Sequence, residues 1–290
     1  MYKRQAAVAE AERDAERVVE LAKGPSKIPV SGAVTLLRED PFTQGPRLFA
    51  KHCASCHRYN GHNGRGRVLM TKTKEGTASP TPATAADLGK FGSREWMKTI
   101  LTDYKTHFAP LKNNQWYNEA VKAEEAGDDV VYLNPDESEM ADWSGDRDSL
   151  TSDANKENLA ALIEYLVSET QRSDLELDAA MVAKGEAIAK EGTWAGEIEG
   201  TSCVDCHATI GEDFTKRTED DTGGYPDLAR YGSGAWLRDF ISNPGSAQHY
   251  GEKNRMPAYA DKMTPDELDL LVRWMTGDYF PTQVHDYKAK

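Results

Sequence analysis

The sequence predicts an all-α fold of two tandem units behind an N-terminal connector helix. Three observations carry that prediction. A set of segments occurs twice in the same order along the chain. The apolar residues of those segments recur at i, i+3, i+4 and i+7, the helical spacing, and no convincing run of alternating strand residues appears. The length of 290 residues suits two domains at about 150 residues each. The expected boundaries are a connector helix and linker over 1–40, a first domain over 41–170 and a second over 171–290.

The connector runs from Ala6 to Lys23, rich in Ala and Glu, and Gly24-Pro25 ends it. The first unit opens with an entry helix, Gly45-x-x-x-Phe49-x-x-x-Cys53. Its looser counterpart is Gly185-Glu186-Ala187-Ile188, separated from Cys203 by a Gly-rich insertion with Gly192, Gly196 and Gly200. A middle helix bearing a tryptophan follows in each unit. Asp87-Leu88-Gly89-Lys90-Phe91-Gly92-Ser93 leads to Trp96, and Asp227-Leu228-Ala229-Arg230-Tyr231-Gly232-Ser233 leads to Trp236. The closing helices are Leu159-x-x-Leu162-Ile163-x-Tyr165-Leu166 and Leu268-x-x-Leu271-Val272-x-Trp274-Met275. Lys156-Glu157 and Pro265-Asp266-Glu267 give them acidic or Pro starts.

Composition narrows the function. Hydrophobic residues make up 39% and mean hydropathy is −0.68, so each core is short of apolar material unless a non-protein group fills it. No stretch approaches ~18 consecutive apolar residues, which excludes a membrane span within these residues. The net charge of −13 argues against a nucleic-acid partner, which calls for a basic stripe. Four cysteines are too few for a disulfide scaffold.

Those cysteines form two pairs, each followed by histidine: Cys53-Ala54-Ser55-Cys56-His57 and Cys203-Val204-Asp205-Cys206-His207. Cys-x-x-Cys-His is the attachment signature of c-type haem. Two thiols on one helical turn reach the two vinyl groups of a porphyrin, and the adjacent imidazole supplies the proximal nitrogen to iron. Two covalently bound haem c groups are therefore expected. A zinc ribbon spaces its pairs ~15–20 residues apart, far closer than Cys53 and Cys203. A thioredoxin-like pair needs a βαβ setting that the sequence does not show.

On these motifs both units resemble class I cytochrome c domains, together covering about 41–290. More narrowly, Gly32-Ala33 through Leu36-Leu37-Arg38-Glu39-Asp40-Pro41-x-Thr43-Gln44-Gly45-Pro46-Arg47-Leu48-Phe49-Ala50 resembles the segment that joins cytochrome b to a fused C-terminal cytochrome c in some bacterial quinol–cytochrome c reductases. The resemblance implies axial ligands: His57 and His207 on the proximal side, and methionine on the other. Met256, followed by Pro257, stands 49 residues after His207 where the family has its distal methionine. Its counterpart Met140 stands 83 residues after His57 and is followed by Ala141, not proline. The resemblance also implies that the Pro226 carbonyl orients one proximal imidazole, with Ala86 in that place in the first unit. Trp96 and Trp236 are expected to pack against porphyrin. His107 and His249 stand as alternative ligands or ordinary loop imidazoles. Met97, Met263 and Met275 read as core or packing, Met70 as surface or haem edge, and His52, His62 and His285 as surface. Arg58, Arg65, Arg67, Lys72 and Lys74 are candidates to pair with haem propionates or to form a solvated loop.

Between Tyr117 and Asp153 twelve acids face two bases, −10 of the total −13. This insertion is either solvated or a docking face for a basic redox partner. No apolar leader segment is present, although c-type haem is attached outside the cytoplasmic membrane. Met1-Tyr2-Lys3-Arg4-Gln5 resembles a translated adapter, so membrane helices encoded upstream are expected to tether the chain on the periplasmic side of a bacterial membrane. The leading functional expectation is electron transfer from a quinol-oxidising cytochrome bc-type complex, with no intrinsic catalysis. The alternatives are a dihaem cytochrome c peroxidase or the cytochrome subunit of a periplasmic dehydrogenase. Paired methionines and a symmetric repeat speak against the peroxidase, which needs two differentiated haem sites.

Overall fold

A computed structural model of the chain describes residues 2–24, 27–72, 76–196, 202–207 and 225–279. It is mostly helical with little strand. The connector is helix α1, Tyr2–Lys23, followed by the short α2, Ala33–Arg38. The entry helix α3, Pro41–His52, starts where proline costs no hydrogen bond, and Asp40 caps it by accepting from the Thr43 amide. Arg17 of α1 donates to both oxygens of the buried Asp40 carboxylate at 2.7 and 3.0 Å, so the connector is clamped onto the start of α3.

One hairpin departs from the all-helical expectation: β1, Met70–Lys72, pairs antiparallel with β2, Ala78–Pro80. Every residue of both strands is exposed, so no apolar alternation marks them in the sequence. Next come α4 (Arg94–Thr102), α5 (Tyr104–Phe108), α6 (Gln115–Glu125), α7 (Glu139–Gly145), α8 (Arg147–Leu150) and α9 (Lys156–Glu169). The second repeat supplies α10 (Ala179–Glu191), α11 (Gly234–Ser242) and α12 (Pro265–Met275). A capping box between Thr264 and Glu267 starts α12.

The repeated Asp-Leu segments are explained by their backbone. Lys90 and Arg230 sit at φ +58° and +56°, and Gly92 and Gly232 at +72° and +76°. Only glycine takes the last position without strain. Ser93 and Ser233 then cap α4 and α11 by accepting from the Trp96 and Trp236 amides.

Helix pairing runs across the 170/171 boundary in both directions. The closing helix of the first repeat, α9, packs along α10, the entry helix of the second. The closing helix of the second repeat, α12, packs on α3, the entry helix of the first. A short connector, 170–178, makes α9 and α10 a hairpin of neighbours. Both crossings are close ones made at glycine. A Cβ on Gly45 would lie 2.2 Å from Trp274 Cβ, and one on Gly185 would lie 2.0 Å from the Ala161 carbonyl oxygen and 2.8 Å from Tyr165 Cβ. The middle helices keep to their own closing helices, α4 with α9 and α11 with α12. The two Asp-Leu turns pass each other with the Phe91 and Tyr231 rings 6.3 Å apart, and Arg172 donates to the carbonyls of both Phe91 and Met275. One apolar core spans both repeats, from Phe49 through Leu162 to Leu271. The acidic insertion has a small cluster of its own, Tyr117, Ala120 and Tyr132.

Candidate functional site

Each Cys-x-x-Cys-His segment closes one tight turn after its entry helix. The His57 amide donates to the Cys53 carbonyl at 2.9 Å, and the His207 amide to the Cys203 carbonyl at 2.7 Å. The first cysteine of each pair is half-buried and the second exposed, and none of the four is in a disulfide. Burial pushes the Cys53 thiol up to about 12 and the Cys203 thiol up to about 11.

The two imidazoles are held alike. His57 Nδ1 meets the Ala86 carbonyl and His207 Nδ1 the Pro226 carbonyl, both at 2.8 Å. A carbonyl only accepts, so Nδ1 carries the proton in each ring and Nε2 keeps its lone pair. Burial lowers both pKa values below the ordinary histidine range, and the backbone bonds oppose this only in part. Each turn thus offers two thiols and an imidazole anchored through its far nitrogen, the donor set a haem c takes. Among the described residues no three His, Cys, Asp or Glu side chains gather into a metal-ion cluster, so the two Cys pairs do not share one ribbon-type centre.

Met140 on α7 and Met256 are both partly buried against the core. Asn254 fixes the backbone around Met256, its amide donating to the Met256 carbonyl and its carbonyl accepting from the Met256 amide. Three residues on, the Tyr259 hydroxyl donates to the His52 carbonyl at 2.7 Å, beside the first motif. Next to Met140, the Glu139 carboxylate accepts from the Tyr225 hydroxyl at 3.0 Å, and the Tyr225 ring lies 6.0 Å from the His207 ring.

Trp96 and Trp236 are buried. His107 stands edge-on to Trp96 at 4.5 Å, and His107 Nε2 and Trp96 Nε1 are buried without a hydrogen-bond partner among the described residues. His249 differs. Its ring packs on Trp236 and Phe240, and its Nε2 is bonded to Asp239 at 2.8 Å. Burial lowers its pKa below the ordinary histidine value, and the Asp239 carboxylate opposes this only in part.

Several candidates stand elsewhere than the sequence suggests. Arg58 is buried and donates to the carbonyls of Ala54, His57, Thr81 and Pro82, stapling the loop beneath the first motif. Arg65 pairs with Glu10 of α1, and Lys74 and His285 lie outside the described residues. Arg67 and Lys72 are exposed. His52 and His62 are half-buried, and His62 Nδ1 accepts from the Gly64 amide. Met97, Met263 and Met275 are core and Met70 is exposed on β1, where the sequence places them. Asp87 went unremarked as a site residue, yet it accepts from the amides of Asn60, Gly61 and Gly89 and so shapes the loop that delivers the Ala86 carbonyl. Its recurrence as Asp227 was the available signal. A groove lined by α4, α9 and the start of α10 contains none of these residues. No protein-family model, no curated protein and no solved structure matches the chain.

Proposed function

We propose that the chain is a dihaem c-type cytochrome that passes electrons from a quinol-oxidising cytochrome bc-type complex to a downstream acceptor. The observation that carries the reading is the duplicate turn, in which each Cys-x-x-Cys-His imidazole gives its Nδ1 proton to a backbone carbonyl at 2.8 Å. Cys53 and Cys56 would hold one haem and Cys203 and Cys206 the other, with His57 and His207 as proximal ligands. Bound haem supplies reversible one-electron chemistry. The chain's own residues do the rest. The carbonyls of Ala86 and Pro226 fix each imidazole's tautomer and make it a better donor. Met140 and Met256 would supply thioether sulfur, which raises a haem potential. The buried, unpartnered Trp96 Nε1 is a donor suited to an anionic porphyrin substituent.

The −10 insertion gives this cytochrome a fixed field that would speed encounter with a basic partner. The site of action would be the periplasmic side of a bacterial membrane, where c-type haem is attached. The test is secretion of the chain in a bacterium with haem c maturation, followed by denaturing mass spectrometry and a redox titration. Two covalently added haems per chain and reversible one-electron reduction are expected. A chain that leaves maturation with free thiols refutes the reading.

A further inference from the structure

The crossed helix pairs have a consequence for the haems. We propose that the distal ligands are exchanged between the repeats: Met256 completes the iron held by His57, and Met140 completes the iron held by His207. This rests on the haem reading above and departs from the expectation that each repeat closes its own site.

Contacts on both sides support it. The segment carrying Met256 reaches the first motif through Tyr259, whose hydroxyl bonds the His52 carbonyl and whose ring meets the His52 ring at 6.0 Å. The helix that follows lies on α3, with Trp274 stacked on Tyr59 at 4.4 Å and edge-on to Phe49 at 5.9 Å. The segment carrying Met140 reaches the second motif through the Glu139–Tyr225 bond beside His207. Trp143, three residues after Met140, meets Trp194, which follows α10, at 5.9 Å.

Surface charge separates the crossed arrangement from its alternative. Lys51 of α3 pairs with Glu267 of α12, and Lys184 of α10 with Glu157 of α9. With Gly45 matched to Gly185 and Trp274 to Tyr165, Lys51 corresponds to Glu191 and Glu267 to Asn158. If each repeat paired its own helices, Lys51 would face Asn158 and Glu191 would face Glu267. An ion pair would be lost and two like charges brought together.

Two measurements test this on the full haem-loaded chain. Zero-length carbodiimide cross-linking with peptide mapping of the monomer fraction should join Lys51 to Glu267 and Lys184 to Glu157. A Lys184–Asp266 link in the monomer, or a Lys51–Glu267 link confined to dimers, overturns the exchange. The second uses Cys203→Ala/Cys206→Ala, which keeps only the first haem. There Met256→Ala should abolish the sulfur-to-iron charge-transfer band and the shifted methionine methyl resonance, whereas Met140→Ala should leave both. The opposite result overturns the exchange and leaves the haem reading standing. Indifference to both substitutions overturns methionine ligation at that haem. Absence of covalent haem from the unsubstituted chain defeats the proposed function itself.

Discussion

Gly185→Ala is the sharpest probe of the α9–α10 crossing. The added methyl would sit 2.0 Å from the Ala161 carbonyl oxygen, where ordinary contact begins at 3.4 Å. The shortfall of about 1.4 Å falls on backbone, so the helices must move apart instead of one side chain turning away. Overpacking of this kind costs about 1–3 kcal/mol, and an immobile carbonyl puts the site at the upper end. Alanine returns about 1 kcal/mol through its better helix propensity. The net loss is about 2 kcal/mol, which lowers the melting midpoint by roughly 4–8 °C in a chain of this size. The assay is a thermal melt followed by far-ultraviolet circular dichroism. Gly145→Ala on α7 is the control, because a Cβ there meets nothing within 4 Å. It should be neutral or slightly stabilising. If Gly185→Ala melts with Gly145→Ala, the close crossing is not there.

Arg17→Ala strips the buried Asp40 carboxylate of its bidentate partner, and breaking a buried pair costs about 3–5 kcal/mol. A denaturant midpoint unmoved by this change would show that α1 is not clamped to α3. Arg58→Ala leaves four loop carbonyls without their shared donor, and it should reduce haem attachment at the first motif alone, read by peptide mass spectrometry. Arg67→Ala, on an exposed side chain, should leave attachment at both motifs intact. Burial holds His107 and His249 below the ordinary value of 6.5, so the unfolded chain takes up their protons more readily. Their contribution to stability is whole above about pH 6.5 and is lost as pH falls through the folded values. Melting midpoints of His249→Gln against pH should therefore fall less steeply below pH 6.5 than those of the parent; parallel curves would refute this.

The sequence announced its helices through periodicity. Leu159, Leu162, Ile163 and Leu166 mark α9, and Pro265-Asp266-Glu267 marks the start of α12 as Thr264 caps it. The paired Cys-x-x-Cys-His turns were equally plain, since spacing along a chain survives folding unchanged. Partnership did not show. Gly45 and Gly185 are both built to receive a closing helix, and Trp274 and Tyr165 are both built to lie over a glycine, so apolar patterning cannot say which meets which. The place of Arg58 is hidden for a related reason: its partners are backbone carbonyls, which every residue carries and no sequence advertises. The strands β1 and β2 are exposed along their length, so they leave no hydrophobic trace.

Lys51 and Glu267 touch across 216 residues of chain, and that separation orders events in time. A polypeptide emerging from its amino end presents α3 long before α12 exists to pack on it. The α9–α10 hairpin can form as soon as residue 191 is out, whereas α3 must wait for the last helix of the core. Contacts so distant in sequence form slowly. The first motif consequently spends that interval beside an uncovered α3, and the arrival of α12 closes over the helix while Cys56 stays exposed. The eleven-residue helix α12 acts less as a strut than as a latch.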